Sequence, residues 1–270
     1  MRRLTHIRIA ALIVGLAPCT RVLPAQDSIP RHSTFTIFSH RLAERRTINV
    51  YTPPAYDSTR ESFPVLYMPD GGLAEDFPHV VNTIDSLIRL KRIRQVIVIG
   101  IENTERRRDL TGPTAVKSDS EIAPRVGGSA AFRSFIREEL MPEVRKRYRS
   151  TDETTIVGES LAGLFVLETM LLEPKMFRRY IALSPSLWWN REALVRAAER
   201  RLGAFDRSPR TLYLAEANEA GIREGTAELA AILKAHAPPA LSWYYVPRPD
   251  LEHSTIFRGV APDAFVRVLN

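Results

Sequence analysis

The stretch TTIVGESLAGLF, from Thr154 to Phe165, constrains the fold more than any other part of the chain. It opens with a β-branched run typical of a buried strand and continues into good helix formers, so it predicts a strand, a tight turn and a helix. The turn carries Gly158 and Ser160. A serine at such a turn has its hydroxyl lifted above the sheet edge, as a nucleophile requires. Ser160 is therefore a candidate nucleophile, and the alternative is an ordinary helix cap.

The turn departs from the usual spelling at one position. The pattern for such a nucleophile is G-x-S-x-G, because strand and helix backbones pass close together there. In this chain Ala162 takes the place of the last glycine, and Gly163 follows one residue later. Since alanine adds only a methyl group, the turn remains possible although the pattern is imperfect.

The apolar patterning predicts one α/β domain. Two near-continuous apolar runs, Phe63–Met68 and Gln95–Ile101, indicate central strands of a parallel sheet covered on both faces. Before them, Ser33–Ser39 and Arg46–Tyr51 alternate, which predicts an antiparallel pair at a sheet edge. From Phe63 onward strands alternate with helices, without an internal repeat or a linker. We therefore expect residues 26–270 to form a single doubly wound, mostly parallel sheet with helices on both faces and with its sites at the carboxyl ends of the strands.

The first 25 residues have the pattern of a secretory signal peptide. Arg2, Arg3 and Arg8 form a basic start, and the apolar run Ile9–Ala17 is too short to span a bilayer. Cleavage after Ala25 would release a periplasmic or secreted protein. The alternative, a lipoprotein anchored through Cys19, is less favoured because a proline precedes that cysteine.

Charge and cysteine content exclude several classes of function. The net charge of +7 includes four arginines of the predicted signal, which leaves +7 − 4 = +3 for the mature chain. This excess is mild and scattered, so we expect no nucleic-acid partner. No segment after the signal resembles a membrane span. Cleavage after Ala25 would also remove the only cysteine, Cys19, which excludes disulfides, cysteine catalysis and thiolate metal sites.

A serine nucleophile needs a base, and His253 is the histidine best placed for that role. It follows the last predicted strand, in a loop near the end of the chain, which gives the order serine, acid, histidine found in α/β-hydrolases. The acid should follow the strand after Ser184, and we predict Glu219, just beyond that strand. Glu216 on the strand and Asp250 are alternatives, as is a dyad without any acid.

Two backbone amides are candidates for the oxyanion hole. One belongs to Leu161, the residue after the nucleophile, and the other to Gly72, in the loop after Phe63–Met68 where glycines allow close approach. The alternative for Gly72 is a plain glycine turn.

Two further segments could contact a substrate. Glu102–Gly127 has little regular pattern, and a loop of that length is usually functional or mobile. Within it Arg107 and Arg108 could bind an anionic or catecholate group, unless they belong to a solvated basic loop. Trp188 and Trp189 could stack on a ring, although one of them could instead pack under the loop.

Six segments together resemble one known family: VLYMPDGG, VIGIENTERRRDLTGPT, FRSFIREELMPEVRKRY, TTIVGESLAGLF, YIALSPSLWWN and LEHST. The segments occur in the same order in the esterase family of α/β-hydrolases that includes the enterochelin- and salmochelin-esterase-like bacterial proteins, and the chain resembles this family. The resemblance implies an α/β-hydrolase fold and a serine esterase that acts on a small-molecule ester without a cofactor or metal. It implies Ser160 as nucleophile, His253 as base, and the amides of Gly72 and Leu161 as oxyanion donors. The acid position varies in this family, so the role of Glu219 stays open.

The sequence thus favours an exported serine esterase that forms an acyl-enzyme. Two other functions fit the same residues: a non-catalytic ligand-binding module, and an acyltransferase to a sugar or lipid acceptor. The sequence identifies neither the ester nor the oligomeric state.

Overall fold

A computed structural model of the chain describes residues 29–270. The predicted signal peptide, its cleavage point and Cys19 lie outside the described residues, so those predictions remain predictions. None of the helices in residues 29–270 is long and apolar enough to cross a bilayer.

The strands of the described chain form one sheet in the order β1-β2-β4-β3-β5-β6-β7-β8. Their bounds are β1 (His32–Ser39), β2 (Glu44–Tyr51), β3 (Phe63–Pro69), β4 (Ile97–Ile101), β5 (Ser150–Glu159), β6 (Arg179–Leu183), β7 (Arg210–Ala217) and β8 (Leu241–Arg248). β2 pairs antiparallel with both β1 and β4, and all other neighbours are parallel. The predicted antiparallel edge and mostly parallel sheet are both confirmed.

Helices cover both faces of this sheet. Their bounds are α1 (Phe77–Arg89), α2 (Arg106–Leu110), α3 (Lys117–Ser120), α4 (Ser129–Phe135), α5 (Met141–Arg147), α6 (Leu161–Leu172), α7 (Trp189–Leu202), α8 (Ile222–His236) and α9 (His253–Leu269). A π-helical turn, Ile136–Leu140, joins α4 to α5. Successive side chains of a strand point to opposite faces, so β3 contributes Val65 and Tyr67 to one apolar core and Leu66 and Met68 to the other. The first core packs under α4, α6, α7 and α8, and the second under α1 and α9.

Three local predictions need correction. His253 does not lie in a loop: it is the first residue of α9. The segment Glu102–Gly127 is not without regular structure, since it contains α2 and α3. The helical spacing of Phe132, Phe135, Ile136 and Leu140 predicts one helix from Ser129 to Tyr148, but the π-helical turn interrupts it. The error at His253 concerns a helix boundary, the least certain part of a prediction from pattern alone.

Candidate active site

Ser160 occupies a strained turn between β5 and α6. Its backbone has φ 61° and ψ −122°, a region that a non-glycine residue rarely adopts. The Ser160 amide donates to the carbonyl of Leu183 at 2.9 Å, and the Ser160 carbonyl accepts from Leu164 and Ser186. Strain of this kind costs on the order of 1–3 kcal/mol and persists where the surrounding structure enforces it, as at functional sites.

Close contact between strand and helix explains the glycines of the turn. A Cβ added to Gly158 would lie 2.7 Å from the Cβ of Ala162, and one added to Gly163 would lie 2.9 Å from the carbonyl oxygen of Leu183. The two glycines therefore stand at the points of closest approach. Ala162 itself is fully buried against Gly158, so its methyl group has a place and the imperfect pattern still supports the turn.

His253 and Glu219 lie together at the carboxyl edge of the sheet. Nδ1 of His253 is 2.9 Å from Oε2 of Glu219, an ion-pair distance, although the two atoms are not aligned as a hydrogen bond in this conformation. The loops after β7 and β8 bring them together, since the amide of Asn218 donates to the carbonyl of Leu251. Catalytic hydrogen bonds are often poorly aligned before substrate binds.

The other acids considered for this role have different partners. Glu216 is only 2% exposed, and its Oε1 accepts a 2.7 Å hydrogen bond from the hydroxyl of Tyr245. Asp250 is exposed and paired with Arg248. Of the three candidates, Glu219 alone is within ion-pair distance of His253.

Both predicted oxyanion amides lie at this edge, and they differ in their hydrogen bonding. Leu161 is the first residue of α6, where an amide has no partner inside the helix. The amide of Gly72, in the loop after β3, donates to Oε2 of Glu75 at 2.7 Å.

The serine hydroxyl has a neighbour that sequence reasoning missed. Oγ of Ser160 lies 3.4 Å from Oγ of Ser186, which is 2% exposed. Ser186 lies in the segment SPSLWW, whose position after a strand could have suggested it.

Glu159, the residue just before the candidate nucleophile, was also missed. Its side chain is 18% exposed, and its Oε1 lies 3.8 Å from Nε2 of His253 without a hydrogen-bond partner. Burial, followed by the nearby carboxylates of Asp76 and Asp70, raises the pKa of Glu159 to about 8. This carboxyl therefore stays largely protonated at neutral pH.

Both arginines of the predicted pair already have partners within the protein. Arg108 binds Glu44 and Asp109 and is mostly buried. Arg107 is exposed and donates to the carbonyl of Ile122.

The preceding residue, Arg106, is the arginine that faces the site. Its guanidinium donates two hydrogen bonds to the carboxylate of Asp70, at 2.7 and 2.8 Å. Its positive charge lowers the pKa of Glu159, against the larger effect of burial. The run of three arginines was the available signal, but it did not indicate which of them points inward.

The two tryptophans also differ. Trp189 is 4% exposed, and its indole N–H donates to the carbonyl of Gly112 at 2.8 Å, so it is part of the core. Trp188 is 37% exposed and is the one whose ring could meet a ligand.

The sheet order, the helices on both faces and the serine turn after β5 define an α/β-hydrolase fold. Solved structures agree. The chain matches an IroE-like serine hydrolase from Shewanella oneidensis with a TM-score of 0.80 and 25% identity, covering 88% of this chain and 79% of that one. It matches the BES protein from Bacillus cereus with a TM-score of 0.77 and 19% identity, covering 96% and 98% of the two chains.

A family model described as "Putative esterase" matches residues 39–218, and the chain belongs to that family. A curated relative, the ferri-bacillibactin esterase BesA of Bacillus subtilis, is 32% identical over 58% of this chain and 59% of its own length. The iron(III) salmochelin esterase of Escherichia coli is 26% identical over 54% of this chain and 34% of its own length. The chain thus spans less than two thirds of the length of these curated relatives.

Proposed function

We propose that this protein is an exported serine esterase that hydrolyses a small-molecule carboxylic ester through an acyl-enzyme. The observation that carries the proposal is the strained Ser160 turn at the same sheet edge as the His253–Glu219 pair. The relatives named as esterases support the same activity.

The chemistry assigns one task to each group. Oγ of Ser160 attacks the ester carbonyl carbon while Nε2 of His253 takes its proton, and Glu219 holds the histidine tautomer and stabilises the imidazolium. The amides of Leu161 and Gly72 donate to the oxyanion of the tetrahedral intermediate. The imidazolium then protonates the leaving alcohol, and water attacks the acyl-enzyme by the reverse arrangement.

Siderophore esters are the substrate class that the relatives favour, because two of them are named as esterases of bacillibactin and salmochelin complexes. The site itself adds the exposed ring of Trp188 and the guanidinium of Arg106, which is held by Asp70. Hydrolysis of a panel of siderophore, sugar and short-chain esters by purified protein would identify the preferred substrate.

Replacing the nucleophile tests the activity. Ser160→Ala should lower the hydrolysis of p-nitrophenyl butyrate by several powers of ten, on the order of 10⁶ in a comparable enzyme, without loss of the folded state. Ser242→Ala, at an exposed position of β8, is the matched control and should hydrolyse at the wild-type rate.

A fluorophosphonate probe, which labels only an activated serine, separates this proposal from a binding module. Labelling of the wild type and of Ser242→Ala, but not of Ser160→Ala, is the expected pattern. A folded wild-type protein that is not labelled would contradict the proposal. Product analysis with added alcohols would reveal an acyltransferase instead.

A further inference from the structure

The amide of Gly72 is already engaged by a side chain. It donates to Oε2 of Glu75 at 2.7 Å, while Oε1 of Glu75 accepts from Nδ2 of Asn103 at 2.9 Å. In the proposed reaction this amide would donate to the oxyanion. A carboxylate oxygen therefore lies where the negatively charged oxygen of the intermediate would have to be.

The Glu75 side chain is not what shapes the loop. Main-chain bonds hold it: Gly71 N–H to the carbonyl of Ile101, Glu75 N–H to that of Gly72, and Asp76 N–H to that of Asp70, each 3.0 Å long. Gly71 also packs directly on the β4 backbone, since an added Cβ would meet it at 2.3 Å. The contact of the Glu75 carboxylate with the Gly72 amide is therefore separable from the backbone conformation that aims this amide.

A carboxylate on an amide is a strong competitor for that amide. Hydrogen bonds to a charged acceptor are shorter and roughly twice as strong as those to a neutral one. An ester carbonyl in the ground state is neutral, so it cannot displace the Glu75 carboxylate on equal terms. The other oxygen of the Glu75 carboxylate has a separate donor, Asn103.

We propose that Glu75 is a built-in competitor for the oxyanion hole: its carboxylate occupies the Gly72 amide in the resting protein and must leave before an ester carbonyl can bind. This inference rests on the proposed esterase function. It predicts that the enzyme restrains its own activity, and that removal of the carboxylate increases it.

Glu102 provides a matched control for the loss of a negative charge. A Cβ built on Gly72 would meet Oε2 of Glu75 at 2.9 Å and Cγ of Glu102 at 3.0 Å, so both acids border the same glycine. The Gly72 amide donates its hydrogen bond to Glu75 and not to the Glu102 carboxylate. Glu102→Ala removes a charge at this point without freeing the amide.

The experiment compares four proteins: wild type, Glu75→Ala, Glu75→Gln and Glu102→Ala. Two quantities are measured for each, the hydrolysis of p-nitrophenyl butyrate and the inhibition by phenylboronic acid. Phenylboronic acid forms a tetrahedral adduct with the serine that places an oxygen in the oxyanion hole. Glu75→Ala should raise kcat/KM and tighten phenylboronic acid binding by about tenfold, the weight of one charge-assisted hydrogen bond at the low end of its range. Glu75→Gln, which can still accept from Gly72 but has no charge, should give a smaller increase. Glu102→Ala should stay within about twofold of wild type, on the scale of a screened surface charge.

Equal behaviour of Glu75→Ala and Glu102→Ala would overturn the proposal, as would a loss of activity in Glu75→Ala at an unchanged Tm. If Glu75→Ala has a lowered Tm, Glu75→Gln takes its place in the comparison. A kcat/KM of Glu75→Gln that does not exceed that of wild type would equally overturn the proposal. Failure of the esterase function looks different: neither wild type nor Glu75→Ala turns over ester or is labelled by fluorophosphonate. That outcome would overturn both inferences, whereas a wild type that hydrolyses through Ser160 with an inert Glu75 would overturn only this one.

Discussion

We predict that Glu159 contributes a loss of stability as the pH rises, and that Glu159→Gln abolishes this contribution. The carboxyl is 18% exposed, its Oε1 has no hydrogen-bond partner, and burial together with Asp76 and Asp70 raises its pKa to about 8. In the unfolded chain a glutamate titrates at about 4.3. Between these values the folded protein keeps a proton that the unfolded chain has lost.

This difference in proton binding fixes both the sign and the size of the effect. Because the folded state binds more protons in this window, the free energy of unfolding decreases with rising pH, by about 1.4 kcal/mol per pH unit. From about pH 5.5 to about pH 7.5, Glu159 should therefore remove roughly 2.7 kcal/mol. Carboxyls with a lowered pKa, such as Glu44 and Glu153, are ionised in both states throughout this range and contribute no slope.

The assay is urea denaturation of wild type and Glu159→Gln at both pH values, followed by tryptophan fluorescence. Glutamine has no proton to lose. The free energy of unfolding of the variant, relative to that of wild type, should therefore rise by roughly 2.7 kcal/mol from the lower to the higher pH. Any fixed cost of burying the amide is the same at both pH values, so it does not contribute to this difference.

The matched control is Glu228→Gln, at an exposed position on α8. Its difference from wild type should be the same at both pH values. If Glu159→Gln behaves in the same way as this control, the Glu159 carboxyl is already ionised in the folded state and the reasoning from burial is wrong.

Three further predictions concern the site and its support. Glu219→Gln should lower kcat/KM at least about tenfold, since the equivalent replacement of a carboxylate by an amide costs about 10⁴ in one serine protease. Glu216→Gln should change kcat/KM little. The reverse pattern would transfer the acid role to Glu216. Trp189→Ala should lower the free energy of unfolding by about 3–5 kcal/mol in a denaturant titration. Trp188→Ala should leave the stability unchanged and raise KM for aromatic esters only. An equal loss of stability in both variants would refute the distinction between the two tryptophans. Gly163→Ala should lower Tm by several degrees because its Cβ would lie 2.9 Å from a carbonyl oxygen; an unchanged Tm would show that strand and helix can separate there.

The sequence by itself determined the elements and the position of the serine. Strand and helix patterns are local properties of neighbouring residues, so the antiparallel edge, the central strands and the turn after β5 could be read in advance. The carboxyl ends of parallel strands share one edge, which is why Ser160, Gly72 and Glu219 could be expected to lie together. Helix starts were less predictable, and His253 proved to begin α9 rather than lie in a loop.

Only the tertiary structure decided which side chains meet at that edge. The pairing of Glu219 with His253 depends on a hydrogen bond between the loops after β7 and β8, which no local pattern encodes. The same is true of the inward direction of Arg106 and of the contact between Glu75 and the Gly72 amide. The contacts of His253 with Glu219 and of Arg106 with Asp70 join residues far apart in the chain. Glu75 and Gly72 are only three residues apart, but side-chain direction at a loop depends on the surrounding packing. Sequence pattern therefore located the edge where chemistry can occur, and the fold selected the groups that face one another there.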